Sequence, residues 1–309
     1  MNHLTVIHEL GHALGLSHPF DQDIRLPNLT DSRNFTVMSY AGPTSGLEPI
    51  SPQLYDIAAI QEMYGRNLTH NAGNTFYAWS ANQPTVQTIY DASGTDTFNF
   101  GNQNLNVTAD LRPGRFTTFA GEQQAINIAY GTLIENLIGG DGDDSLTGNY
   151  AANRITGGRG ADVIQGLGGN DFTSGGSGND TYVFGVADGK DTINEQLGGG
   201  RDTLRLDLTG LNLRNATEAT FKSAIVARKV GIDLHVAIWP SAGRELSSVV
   251  IKNMGKGLSR VEAIQIYEGN RQIGRTVDLN SVYLQASDEY RRFKITDFSS
   301  SIGQIAVRA

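Results

Sequence analysis

Apolar residues change their spacing along the chain, and each change marks a different kind of structure. Leu4, Ile7, Leu10 and Leu14 recur at helical steps, which predicts a helix over residues 4–15. A polar stretch follows, with Pro19 and Pro27 among several Asp and Asn, and reads as loop. A second helical period covers residues 53–64 and stops at Gly65, a residue suited to close a helix. Beyond it the period shortens to that of a strand. Residues 75–77, 85–90, 97–100 and 125–128 read as strands. After a glycine-rich interval the alternation returns in residues 203–208, 233–239, 248–253 and 261–267.

The glycine-rich interval repeats. From Gly139 a nine-residue unit, Gly-Gly-x-Gly-x-Asp-x-apolar-x, recurs at 139, 148, 157, 166 and 175. Its sixth position holds Asp144, Asn153, Asp162, Asp171 and Asp180, and Asp191 reads as the aspartate of one further unit. Its eighth holds Leu146, Ile155, Ile164, Thr173 and Tyr182; the copy at 148 is degenerate. Glycines permit a tight turn and leave carbonyls free to face a cation. Aspartates supply hard oxygens suited to Ca²⁺. The apolar residue points inward from a short strand. The candidate calcium ligands are therefore Gly140, Gly142, Asp144, Gly158, Gly160, Asp162, Asp171, Gly176, Gly178, Asp180 and Asp191. Residues 139–191 hold eight Asp, no Glu and three Lys or Arg, a net −5 of the chain's −8. Such a segment is expected to order only when the ion binds.

Composition narrows the rest. The 309 residues are enough for two domains. Without cysteine, neither disulfides nor thiolate metal sites can form. The negative charge, with no basic patch, argues against a nucleic-acid partner. No apolar run is long enough for a membrane span. The first residues, Met1-Asn2-His3-Leu4, lack the basic cluster and apolar core of a secretory signal.

The chemistry concentrates in His8-Glu9-Leu10-Gly11-His12-Ala13-Leu14-Gly15-Leu16-Ser17-His18. On a helix, His8 and His12 share one face about 6 Å apart along the axis. Two neutral imidazoles so placed can grip one Zn²⁺. Gly15 can take the left-handed conformation that turns the chain and returns His18 as a third ligand. Three protein ligands and an open position make a catalytic arrangement. Glu9 is not needed as a ligand and can act as general base toward water.

This stretch resembles the metzincin zinc proteases. Val37-Met38-Ser39-Tyr40 resembles their Met-containing turn, and Pro19 with the Met-Ser-Tyr form narrows the resemblance to the serralysins, secreted bacterial endopeptidases. The resemblance implies Met38 as a structural residue under the zinc. It implies Tyr40 as an added zinc ligand that swings away to stabilise the transition state. The nonapeptides resemble the RTX parallel β-roll, and Gly94-Thr95-Asp96-Thr97-Phe98 resembles an element that precedes it. Residues 53–64 look like the last helix of the catalytic domain, with core packing as their role. The region after residue 198 resembles the β module of type I-secreted proteins, and the tail is the place for an uncleaved secretion signal.

The sequence departs from the family in three places. It starts seven residues before His8, so the sheet of the family's first half is expected to be missing. The loop from His18 to Met38 is short, and Ala41 stands where an aromatic residue is common.

The expected architecture is an α+β remnant of a metzincin domain, mostly helix and loop, over 1–65. An all-β region follows: strands and a calcium-binding roll over 66–200, with repeats at 139–183, then a β module over 201–309. The implied function is a secreted zinc metalloendopeptidase with one catalytic Zn²⁺ and several Ca²⁺. It would be a monomer, exported by type I machinery and acting on proteins or peptides. The alternative is a catalytically inactive remnant serving as a calcium-binding secreted module.

Overall fold

The computed structural model describes residues 2–21, 25–81, 85–121, 125–195, 199–209, 211, 225–238, 245–254, 261–273, 276–279 and 291–292. Among these the chain is mostly β-strand, with two helices. It divides into compact units of residues 1–141 and 142–309, where the sequence reading expects boundaries after 65 and 200. The expected tail, from about Ala286 onward, lies outside the described residues except at 291–292.

In the first unit, α1 (His3–Ala13) starts at Asn2, whose side chain accepts the Thr5 N–H. It ends where Gly15 takes φ +94° and the Leu16 N–H bonds back to the Gly11 carbonyl at 2.9 Å. The helix rests on the 36–38 turn through Gly11, because a Cβ there would sit 2.5 Å from the Met38 sulfur. Leu10 and Leu14, expected on the packed face, are exposed. α2 (Leu54–Tyr64) begins with the Asp56 carboxylate accepting the Gln53 N–H and closes at Gly65.

Short strands follow. β1 (Phe76–Ala78), β3 (Thr97–Asn99) and β7 (Asn136–Ile138) pair in parallel. β2 (Gln87–Ile89), β6 (Ile126–Ile128) and β5 (Phe116–Thr117) form a three-stranded sheet. β4 (Thr108–Asp110) bridges to Thr118. Trp79, Phe98, Phe100 and Phe119 are buried against one another as the aromatic core.

The second unit winds as a coil of parallel strands. β8 (Ser145–Thr147), β10 (Val163–Gln165), β12 (Thr181–Gly185), β14 (Asp202–Asp207) and β18 (Val261–Glu268) form one sheet. β9 (Arg154–Arg159), β11 (Phe172–Ser177), β13 (Lys190–Ile193) and β17 (Ser247–Ile251) form the other. Successive nonapeptides fall in opposite sheets, so a full turn takes 18 residues, as in Val163 paired with Ser145 and Phe172 with Arg154. The apolar eighth positions stack accordingly. Leu146, Ile164, Tyr182, Leu204 and Ile264 line up in one sheet. Ile155, Thr173, Ile193 and Ile251 line up in the other, and all nine are buried. Later turns are longer: Phe172 pairs with Thr192 and Thr181 with Thr203. The second sheet continues antiparallel through β16 (Asp233–Ile238) and β15 (Ile225–Val230) to β21 (Arg291–Arg292). The first is edged by β19 (Arg271–Gln272) and β20 (Val277–Asp278) on β18.

Gly178 marks how closely the turns stack. It has φ +142°, and a Cβ there would lie 1.7 Å from the Gly160 oxygen, one turn away. Gly178→Ala is therefore expected to destabilise the roll by about 2 kcal/mol or more. Gly73→Ala, with nothing within 4 Å of the added carbon, should cost less than about 0.5 kcal/mol. Thermal unfolding followed by circular dichroism checks both, and equal effects would contradict the stacking.

Candidate metal centres

α1 and the loop after it bring His8, His12 and His18 together, with one nitrogen from each inside a 4.8 Å cluster. The ring nitrogens divide cleanly. Nδ1 of His8 faces the Val37 carbonyl at 2.8 Å, and Nδ1 of His12 faces the Leu16 carbonyl at 2.9 Å. Nδ1 of His18 faces the Asp21 carboxylate at 2.5 Å. Carbonyls and carboxylates only accept, so each Nδ1 carries the hydrogen and each Nε2 of a neutral ring is a bare lone pair. Those lone pairs converge. Nε2 of His18 lies 3.3 Å from Nε2 of His8 and 3.1 Å from that of His12. Acceptors this close repel one another unless a cation lies among them, and three imidazoles are a donor set that suits Zn²⁺.

The Tyr40 hydroxyl lies 3.0 Å from Nε2 of His18, which puts it in the same group. Arg33 holds the Tyr40 carbonyl at 2.9 Å while it pairs with Glu48. Phe20 stacks on His18, its ring tilted by 3° at 5.1 Å. Glu9 lies next to His8 in sequence and is exposed on α1. Met38 is buried beneath Gly11, and Gly15 makes the turn that follows the helix.

In the roll, aspartates form two ladders. Asp162 accepts the Asp144 N–H, Asp180 that of Asp162, and Asp202 that of Asp180. Glu262 then accepts the Asp202 N–H at 2.8 Å. On the other side Asp171 accepts the Asn153 N–H, and Asp191 that of Asp171. Each aspartate thus commits one oxygen to the preceding turn. The second oxygens of Asp162, Asp171, Asp180 and Asp202 are buried without a hydrogen-bond partner.

These oxygens meet glycine carbonyls. A Cβ on Gly157 would fall 2.1 Å from Asp162 Oδ2 and 2.5 Å from the Gly175 oxygen. Carbonyls of Gly142 and Gly158 face Gly160 and Gly176 in the same way, each 2.2 Å from the Cβ position. The cradles that a side chain would fill are lined by oxygen, which fits Ca²⁺. Gly140 lies in the first unit, against the carbonyls of Gln103 and Phe100.

Several members fall outside the nine-residue spacing. Asp191 follows Asp171 by 20 residues and Asp202 follows Asp180 by 22, so the nine-residue count slips after Asp180. Asp180, Glu195 and Asp202 form a buried carboxylate cluster. Three acidic residues so close inside a glycine-rich stretch are the signal that strict periodicity hid. A further cluster lies in the first unit. Asp96 accepts the Thr75 N–H through one oxygen and leaves the other buried without a partner. Its N–H donates to Glu135, and nearby Asp91 accepts the Tyr77 hydroxyl. Burial, with Asp91 and Glu135 adding to it, pushes Asp96 up to about 6.

A two-sheet parallel coil with glycine corners and inward aspartates is a β-roll of RTX repeats. Residues 55–236 match the family described as peptidase M10 serralysin C terminal. The chain belongs to this family and is a serralysin-type protein. Serralysin B of Dickeya chrysanthemi is 40% identical over 166 residues, covering 45% of this chain and 34% of that protein. Serralysin of Proteus mirabilis is 35% identical over 174 residues, 48% of this chain and 35% of that one. Metalloprotease AprA of Pseudomonas entomophila is 36% identical over 175 residues, 47% of this chain and 36% of that one. The chain spans about a third of the length of these curated relatives. Among the described residues, no helix is long and apolar enough to cross a membrane.

Burial pushes Asp162, Asp171 and Asp202 up to about 7 and Asp191 up to about 8, and neighbouring carboxylates add to the shift. Unfolded aspartates titrate near about 4, so protons favour the folded, metal-free roll. That contribution is complete below about pH 4 and is lost as pH rises through about 7 to 8. Without calcium, the β-sheet signal in circular dichroism should persist at about pH 5 and fall across that window. With calcium it should survive to about pH 8. A metal-free signal that does not change with pH would contradict the burial of these carboxylates.

Proposed function

We propose that the chain is a secreted zinc-dependent endopeptidase of the serralysin type, carried on a calcium-binding roll. One observation carries the reading: the three Nε2 lone pairs converge while every Nδ1 is committed elsewhere. His8, His12 and His18 would hold the zinc, with Tyr40 within reach of the same point. A bound zinc supplies Lewis acidity toward water and a peptide carbonyl. Glu9 takes the proton of the attacking water and returns it to the leaving amine. The Tyr40 hydroxyl donates to the carbonyl oxygen as charge builds there. Asp21 and the two backbone carbonyls keep the imidazoles in one tautomer and orientation.

Calcium would be held by carbonyls of Gly142, Gly158, Gly160, Gly176 and Gly178 and carboxylates of Asp144, Asp162, Asp171, Asp180 and Asp191. Asp202 and Glu195 join them, and Asp91, Asp96 and Glu135 offer a similar set in the first unit. Proteins or peptides are the substrates, and type I machinery exports the chain from a bacterium.

A second reading, a calcium-binding secreted module without catalysis, also has an observation behind it. The family match begins at residue 55, beyond the histidines and Tyr40. Casein cleavage by the zinc- and calcium-loaded chain separates the two. Glu9→Ala should lower cleavage by about 100-fold or more while equilibrium dialysis still finds bound zinc. His12→Ala should lose both zinc and cleavage. Unchanged cleavage in Glu9→Ala would sink the mechanism. Absence of cleavage by the parent chain, with calcium-driven folding intact, would favour the second reading.

A further inference from the structure

Asp56 reads as a core residue of α2 in the sequence, yet its carboxylate does more than fill space. It is nearly fully buried. Oδ1 accepts the Thr36 hydroxyl at 2.5 Å. Oδ2 accepts two backbone N–H groups, of Val37 and Gln53, each at 2.8 Å. The Thr36 hydroxyl oxygen in turn accepts the Met38 N–H at 3.1 Å. One carboxylate therefore fixes three consecutive residues, directly or through a single hydroxyl. The middle residue, Val37, presents the carbonyl that takes the His8 Nδ1 hydrogen at 2.8 Å.

We propose that Asp56 is a positioning residue for the histidine centre. It locks the 36–38 turn so that the Val37 carbonyl holds His8 in the tautomer presenting a bare Nε2 to a metal. The proposal rests on the zinc reading above. The geometry separates this role from simple capping of α2. Capping needs only the bond to Gln53, whereas two of the three donors lie on the turn. An amide at position 56 can keep both N–H bonds through its oxygen, but its nitrogen then faces Thr36, whose hydroxyl must turn to accept, and the charge on all three bonds is lost.

The test uses the full chain loaded with zinc, and with Co²⁺ as a spectroscopic substitute. Asp56→Asn should weaken zinc about 10- to 100-fold in chelator competition, the range set by loss of an outer partner of a metal-bound histidine. It should also shift the visible Co²⁺ spectrum, which reports ligand geometry and does not follow stability while the chain stays folded. Thr36→Val leaves the α2 cap and the Val37 bond in place, and should weaken zinc by a smaller factor with the same spectral direction. It carries the test should Asp56→Asn not fold. Zinc affinity and Co²⁺ spectrum unchanged in either folded variant would overturn the proposal and leave Asp56 as a helix cap. A parent chain that binds neither metal would overturn the zinc reading as well, so the two failures are distinct.

Discussion

Asp162, Asp171, Asp180 and Asp202 each give one oxygen to a backbone N–H a turn away and keep the other inside, where no donor meets it. An ionised carboxylate without partners in a protein interior is expensive, by several kcal/mol even after relaxation. Two remedies exist, a proton or a cation. The raised titration points of Asp162, Asp171, Asp191 and Asp202 express the first. The oxygen-lined glycine cradles suit the second. The apolar stacks of Leu146, Ile164 and Tyr182 hold the sheets, but they cannot relieve that electrostatic cost.

The histidine centre obeys the same rule with nitrogen in place of oxygen. Backbone carbonyls of Val37 and Leu16 and the carboxylate of Asp21 occupy one side of the three rings. The opposite sides are left facing one another. In both places the protein's own hydrogen bonds create a concentration of lone pairs that a positive charge resolves. Specific residues far apart in sequence supply the constraint: Asp56 from α2 for the histidines, Glu262 from β18 for the last turn of the roll.

Much of this was legible in the residues, for identifiable reasons. Glycine and aspartate at fixed spacing state both a turn and a ligand, so the strand-rich, parallel character of the chain follows from the nonapeptides. The spacing of His8, His12 and His18 states a helix and a turn in the same way. Other features escaped because they carry no local pattern. β4, β5 and β7 hold two or three residues each, too few to show alternation. β15 lies in a segment, Ile225–Val230, whose Arg228 and Lys229 interrupt its apolar series. The longer turns after Asp180 broke the count, so Asp202 and Glu195 went unseen. Asp56 looked like packing because its three donors come from the 36–38 turn and the helix start, not from a motif.

The ladders also have a polarity. Asp162 serves Asp144, Asp180 serves Asp162, Asp202 serves Asp180, and Glu262 serves Asp202. Every acceptor lies later in the chain than the donor it satisfies. In this ladder a turn is therefore unfinished until the following one arrives, and Glu262 closes it. Loss of residues from the front of the roll takes backbone acceptors from the next turn, as when the Val163 N–H loses the Asp144 carbonyl, but leaves the carboxylate acceptors of the later aspartates in place. Loss from the rear strips the acceptor from a turn that remains, and the vacancy passes forward. Along this carboxylate ladder the roll is a zip with its slider at the carboxyl end.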